Sequence, residues 1–254
     1  MPKIAIAILF FISVLSLESI AQKDSTSFLK LNYLSSGDTL PYRFLKPRNV
    51  EGGKTYPLII FLHGAGERGN DNEKNIKHIK DLVLNNGNRG KFPCYVIAPQ
   101  CPEKLKWIES YNSVFTDRPA KPMQQFITLL EKILKENAID PNRIYITGLS
   151  MGGFGTWDLI ARYPNKFAAA VPICGGGDEK TAPKIKHIPI WAFHGAKDNT
   201  VPPEKSRKMI KALQDAGGSP GYCEYPDVEH PSWYQAYKDP YLFVWLFKQK
   251  LQKL

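Results

Sequence analysis

The stretch Ile144-Tyr-Ile-Thr-Gly-Leu-Ser-Met-Gly-Gly153 decides how this chain folds. Its first four residues, Ile144 to Thr147, are β-branched or aromatic and predict a strand. Phe154 to Tyr163 predict a helix, and between them stands Gly148-Leu-Ser-Met-Gly152, a G-x-S-x-G motif. A serine in that context sits on a sharp strand-to-helix turn that lifts its hydroxyl out of the sheet. Gly148 and Gly152 lack a Cβ, so strand and helix can approach closely around it. The new helix also directs unpaired N–H groups, and the positive end of its dipole, at the same point. Ser150 is therefore the candidate nucleophile.

Outward from the turn the same alternation continues. Pro57 to His63, Tyr95 to Pro99, Ala168 to Ile173 and Ile190 to His194 are short apolar runs. Such runs fit strands buried on both faces of a mostly parallel sheet. Glu73 to Asn85, Pro122 to Glu136 and Pro203 to Ala216 carry helical spacing. In the second of these, Leu129, Leu130, Ile133 and Leu134 make one face, while Glu131, Lys132, Lys135 and Glu136 make the other. Tyr222 to Pro226 predict a last strand and Tyr241 to Leu251 a last helix. Ahead of the repeat, Phe28 to Leu34 and Thr39 to Leu45 flank Ser35-Ser36-Gly37-Asp38 and predict an antiparallel hairpin. The order reads as one α/β layered domain over residues 22–254, with a mostly parallel central sheet flanked by helices. The loop from Cys101 to Lys121 is long and aromatic, suited to a pocket rim.

A serine hydroxyl needs a base to take its proton and an acid to orient that base. The run Ile190 to His194 leads through Gly195-Ala-Lys-Asp198, and the last strand leads to His230. Ser150, Asp198 and His230 thus follow in chain order, each after a strand, and form the candidate triad. Asp178, after Gly175-Gly176-Gly177, is the rival acid, and Asp227 stands too near the base. Glu229 adjoins the base and is expected to point elsewhere. His78 and His187 lie in polar contexts and are expected at the surface. His63 and His194 end strands directly before glycine and are expected to brace backbone. The charge on a tetrahedral intermediate needs aimed N–H groups. The Met151 amide, next to the nucleophile, and the Ala65 amide, in His63-Gly-Ala-Gly-Glu-Arg-Gly69, are the candidates. This chemistry calls for no metal and no cofactor.

Length and composition set the remaining bounds. The 254 residues, 43% hydrophobic, can bury an ample core. Residues 1–21 read as an export signal: Lys3, an apolar run from Ile4 to Leu17, then Ser19-Ile20-Ala21 before Gln22. The run is short for a span of about 20 residues, so a stable membrane anchor is the lesser reading. A periplasmic or secreted mature chain is expected. Its four cysteines lack zinc-site spacing, and four buried thiols are expected, without any assigned pairing. A net charge of +10 comes from scattered Lys and Arg with no aromatic-interleaved stripe, so nucleic acid is not an expected partner.

Taken together, the motifs resemble the α/β-hydrolase superfamily. They are more closely similar to its secreted bacterial esterases and dienelactone-hydrolase-like proteins, near the feruloyl and acetylxylan esterases. The carriers include His63 to Gly69, Ala98-Pro-Gln-Cys-Pro102, Thr147 to Trp157, Pro172 to Asp178, Phe193 to Asp198 and His230-Pro-Ser-Trp233. The resemblance implies Ser150, Asp198 and His230 as the triad of an esterase. Glu229 departs from it, because glycine more usually precedes the histidine. The implied partner is an ester substrate, with acyl or feruloyl groups on plant polysaccharides as one candidate. Trp107 and Trp233 either stack on a sugar or aromatic acyl group, or pack against the domain edge. A prolyl-oligopeptidase-type peptidase is the competing enzyme, though the chain offers no segment for the large propeller domain those enzymes use. A catalytically silent binding protein on the same fold is the non-enzymatic alternative.

Overall fold

A computed structural model describes residues 27–35, 37–109, 112 and 114–252. The export signal read at residues 1–21 lies outside the described residues. Eight strands form one sheet: β1 (Leu29–Ser35), β2 (Asp38–Leu45), β3 (Tyr56–Leu62), β4 (Tyr95–Pro99), β5 (Ile139–Leu149), β6 (Ala169–Ile173), β7 (Trp191–Gly195) and β8 (Gly221–Tyr225). Their spatial order is β1-β2-β4-β3-β5-β6-β7-β8. The hairpin β1–β2 is antiparallel and adds to β4 antiparallel, while every pair from β4 onward is parallel.

The helices are α1 (Lys80–Leu84), α2 (Asn86–Lys91), α3 (Lys121–Glu136), α4 (Met151–Arg162), α5 (Ala182–Ile185), α6 (Glu204–Asp215), α7 (Trp233–Ala236) and α8 (Leu242–Lys248). Alternation along the strands splits the core in two. Leu58, Ile60 and Leu62 of β3 face a cluster with Phe126 of α3, Trp157 of α4 and Met209 of α6. Ile59 and Phe61 face the other cluster, with Val83 of α1 and Phe243 and Leu246 of α8. Both faces of the sheet are therefore covered, which is why its strands read as unbroken apolar runs. Among the described residues, no helix is long and apolar enough to cross a membrane.

Three expectations shift. The helix expected over Glu73 to Asn85 breaks into a 3-10 turn, Lys74–Ile76, and the short α1. Asparagine and aspartate side chains capture the backbone there. Asp71 accepts from the amides of Glu73 and Lys74, and Asn75 donates to the carbonyl of Ala98. Asn85 then ends α1 and caps α2 by accepting from the amides of Gly87 and Asn88. Strand β5 begins five residues before Ile144, carrying a register irregularity opposite Tyr56 and Leu58 that its polar Asp140-Pro-Asn142 segment masked. Among the cysteines, Cys94, Cys101 and Cys174 are buried thiols, but Cys223 is only half-buried, at the sheet edge.

Candidate active site

Ser150, Asp198 and His230 all lie beyond the carboxyl ends of parallel strands, the edge where ligands bind in open α/β sheets. Ser150 follows β5 and opens α4 with φ 52° and ψ −117°, a left-handed conformation for a residue with a Cβ. Strain of this kind costs about 1–3 kcal/mol and persists only where the surroundings enforce it. Here they do. A Cβ on Gly152 would lie 1.9 Å from the Leu62 carbonyl oxygen, and one on Gly148 2.3 Å from that of Gly152. Gly153 is equally constrained, its Cβ position 2.4 Å from the Ile173 carbonyl oxygen. Strands β3, β5 and β6 thus converge on the turn. The Ser150 amide donates to Ile173 at 2.9 Å and fixes it.

Asp198 follows β7 and is buried, 3% exposed. Its Oδ1 accepts from the amides of Thr200 and Val201 at 2.9 and 2.8 Å. Its Oδ2 lies 2.7 Å from His230 Nδ1 and 3.2 Å from His194 Nε2. Burial opposes ionisation of Asp198, but the bonds from His194, His230 and Val201 outweigh it and hold the carboxyl well below its ordinary range. His230 follows β8, and its Nε2 lies 2.9 Å from Ser150 Oγ. The structure therefore brings the three residues into one hydrogen-bonded chain. The two loops are stapled by backbone, since Ala196 donates to Tyr225 and Lys197 to Val228, both at 2.9 Å. Glu229 is exposed as expected. Its φ is not positive, so this loop has no need of the more usual glycine.

The turn after β3 supplies the other wall. Ala65 opens a 3-10 turn, Ala65–Glu67, and Arg68 Nε donates to its carbonyl at 2.8 Å. Met151 is the first residue of α4, where amides have no intrahelical partner. Both line a cavity of about 230 Å3 with Ser150, Phe154, Val201 and Pro202. His63 braces backbone as expected. It is fully buried, bonds Gly64 O through Nδ1 at 2.6 Å and accepts the Cys101 amide at Nε2. Those roles suit one neutral tautomer, and burial pulls its pKa down from 6.5 to about 4. A folded pKa below the unfolded one means that His63 stabilises the fold fully above pH 6.5 and loses that contribution as the pH falls toward 4. The loss amounts to about 3 kcal/mol. Urea titrations of wild type and His63→Gln between pH 7 and 4 should show it as a steeper decline in wild type. Parallel declines would contradict it.

Three readings need correction. Trp107 does not face substrate: it is fully buried, donates to the His63 carbonyl at 3.1 Å and packs edge-on to that ring. The glycine at 155 lets it in, because a Cβ there would lie 2.9 Å from Trp107 Cβ. His78 is not a surface residue. Its side chain is 6% exposed and pairs with Glu67 at 3.2 Å, because the broken helix folds back on the Ala65–Glu67 turn. His194 does more than brace backbone. Its Nε2 faces two acceptors, Val201 O and Asp198 Oδ2, and so carries a proton toward the acid. The signal in the sequence was its place four residues before Asp198 across a tight glycine turn.

Asp178, the rival acid, spends its carboxylate elsewhere, accepting from Lys180 and Phe115 amides. His187 is half-buried against the Pro164 carbonyl. Trp233 stays at the site, its ring perpendicular to His230 at 5.4 Å. The thiol of Cys174, pushed up by burial, lies with ligand atoms of Asp198 and His230 inside a 4.8 Å cluster. Those are the metal-ligating types that meet among the described residues. Two of them already share the hydrogen bond between His230 and Asp198.

A mostly parallel sheet with a strained serine at the end of its fifth strand, and acid and histidine on later strand ends, defines an α/β-hydrolase. Within that class the chain belongs to the dienelactone hydrolase family, whose model matches residues 51–241. It is 27% identical over 245 residues to poly(3-hydroxyalkanoate) depolymerase C of Paucimonas lemoignei, covering 80% of this chain and 55% of that protein. A solved thermostable esterase is 40% identical with a TM-score of 0.82, covering 89% of this chain and 64% of its own. The chain thus spans about half the length of the depolymerase and under two-thirds of the esterase. An acylaminoacyl peptidase of Pyrococcus horikoshii, 19% identical with a TM-score of 0.65, shares the fold over 90% of this chain and 42% of its own.

Proposed function

We propose that this protein is a serine hydrolase of carboxylic esters that works through an acyl-enzyme. The observation that carries the reading is the continuous chain from Ser150 Oγ through His230 to Asp198, at 2.9 and 2.7 Å. Ser150 donates its proton to His230 Nε2 as Oγ attacks the ester carbonyl, and Asp198 steadies the imidazolium. The carbonyl oxygen becomes an oxyanion that accepts from the Met151 and Ala65 amides. His230 then gives its proton to the departing alcohol, leaving an acyl group on Ser150. Water attacks that acyl group with His230 as base, and the carboxylic acid leaves.

The cavity beside Ser150 supports an apolar acyl group, since Ala65, Met151, Phe154, Val201 and Pro202 present mainly carbon. Trp233, with exposed Tyr234, stands beside His230, where the alcohol departs, which supports a carbohydrate-linked ester. An amide leaving group must be protonated and held in position as it departs, and the competing peptidase reading requires a site that does this. Purified protein given matched ester and amide forms of one acyl group should cleave the ester with kcat/KM at least about 10³-fold higher. Comparable values would favour the peptidase.

The catalytic domain follows a cleaved export signal in this reading, the basic residue, apolar run and small-residue site of residues 3–21 being its support. Mass spectrometry of the native protein should find a mature chain starting at Gln22. An intact Met1 on membrane-bound material would contradict export.

A further inference from the structure

We propose that His78, held by Glu67, is a positioning residue that sets His230 through the indole of Trp233. The inference rests on the triad reading above and extends it to a second histidine outside the triad.

The contacts form a chain from Glu67 to His230. Glu67 Oε1 lies 3.2 Å from His78 Nε2, with side chains 10% and 6% exposed. The His78 ring meets Trp233 at 5.4 Å with a 60° tilt, and Trp233 meets His230 at 5.4 Å and 87°. Tyr234 closes the group, 5.7 Å from His78 and 5.6 Å from Trp233. Within this group the indole is fixed by ring packing alone, because its buried Nε1 has no hydrogen-bond partner among the described residues. A ring held only by packing takes its position from its neighbours, and His78 and Tyr234 are the rings packed against it besides His230.

The other end of the chain is the oxyanion turn. Glu67 closes the 3-10 turn that Ala65 opens, and its Oε2 would lie 3.1 Å from a Cβ on Gly64. Burial of Glu67 opposes its charge, yet the bond and charge of His78, together with His63 and Lys77, outweigh this and keep the carboxyl below its ordinary range. An ionised, buried carboxylate therefore sits between the turn and His78, and it needs that partner. Two loops widely separated in sequence, one carrying an oxyanion amide and the other the base, are joined through four side chains. Misplacement of a catalytic group by about 1 Å costs up to about 100-fold in rate, so this chain has leverage on turnover without touching substrate.

The test is a double-mutant cycle on the full chain with a chromogenic ester, reading kcat and KM separately. His78→Ala should lower kcat by about 10-fold with KM within about 2-fold, as expected for a displaced base. His78→Gln, which can still bond Glu67 and fill the space, should recover most of that loss. Because His78 acts through Trp233, the double variant His78→Ala/Trp233→Ala should be no slower than Trp233→Ala alone. If the two losses multiply, or if His78→Ala lowers only the melting temperature, the proposal is overturned. Should His78→Ala fail to fold, His78→Gln and Glu67→Gln carry the cycle with Trp233→Ala under the same criteria. Ser150→Ala, assayed alongside, separates the two levels: activity surviving in it removes the triad reading, whereas its loss beside an unaffected His78→Ala removes only the positioning chain.

Discussion

Ser150→Ala should lower kcat on esters by at least about 10³-fold, with the melting curve of wild type. The expectation follows from where the side chain is and what it does there. Its Oγ makes the hydrogen bond to His230 Nε2 and the bond to the acyl group in the proposed reaction, and alanine can do neither. The backbone is held independently of the hydroxyl. The turn is fixed by the Ser150 amide bonding Ile173 and the Ser150 carbonyl accepting from Phe154, and by glycines that admit neighbouring carbonyls. Alanine inherits the same positive φ as serine, so the fold should survive. A purified variant with near-normal turnover, free of wild-type contamination, would remove Ser150 from the mechanism.

Asp198→Asn should be nearly as damaging, lowering kcat by about 10³- to 10⁴-fold, and the geometry says why. Oδ1 accepts two backbone amides, from Thr200 and Val201, so the substituted amide must keep its oxygen there. Its NH2 group is then forced into the place of Oδ2, facing His230 Nδ1 and His194 Nε2. A donor facing His230 Nδ1 selects the tautomer with the proton on Nε2, and the lone pair that should receive the serine proton is gone. His194 loses one of its two acceptors in the same step and keeps the Val201 carbonyl. Asp178→Asn offers the contrast, since that carboxylate caps a 3-10 turn and holds the Phe115 amide. It should cost stability and leave kcat within about 3-fold, because asparagine keeps the cap to Lys180 but turns its NH2 toward the Phe115 amide, losing a hydrogen bond worth about 1 kcal/mol and touching no reacting group. A larger loss for Asp178→Asn than for Asp198→Asn would reverse the assignment of the acid.

Much of this was legible in the sequence, for reasons that can be located. Strands covered on both faces show as apolar runs, so β3, β4, β6 and β7 were found to within a residue. The site was legible where chemistry demands both a residue type and a place. Gly148 and Gly152 have no alternative when a Cβ would meet a carbonyl at 2.3 Å or less. His230 stood out as the histidine beyond the last strand. What stayed hidden depends on contacts between distant segments. Trp107 looked like a loop aromatic, yet its place is set by Gly155 and by the His63 carbonyl 44 residues away. His78 looked polar and exposed because its helix was read as continuous. The asparagine and aspartate side chains that break that helix do so through bonds to the backbone, among them Ala98, far along the chain. Cys174 adopts a positive φ of 39° beside Asp198 and His230, a conformation no local pattern announces.

The site of covalent capture identifies the nucleophile directly. A fluorophosphonate presents a tetrahedral centre to an activated serine, loses fluoride and leaves a phosphonyl group on the attacking oxygen. Peptide mapping by mass spectrometry after brief labelling of the native protein should place a single adduct on Ser150. It should be absent from Ser150→Ala and should form far more slowly in Asp198→Asn, where the lone pair on His230 Nε2 has been lost. An adduct on another residue, or none on a folded protein that cleaves esters, would contradict Ser150 as the nucleophile.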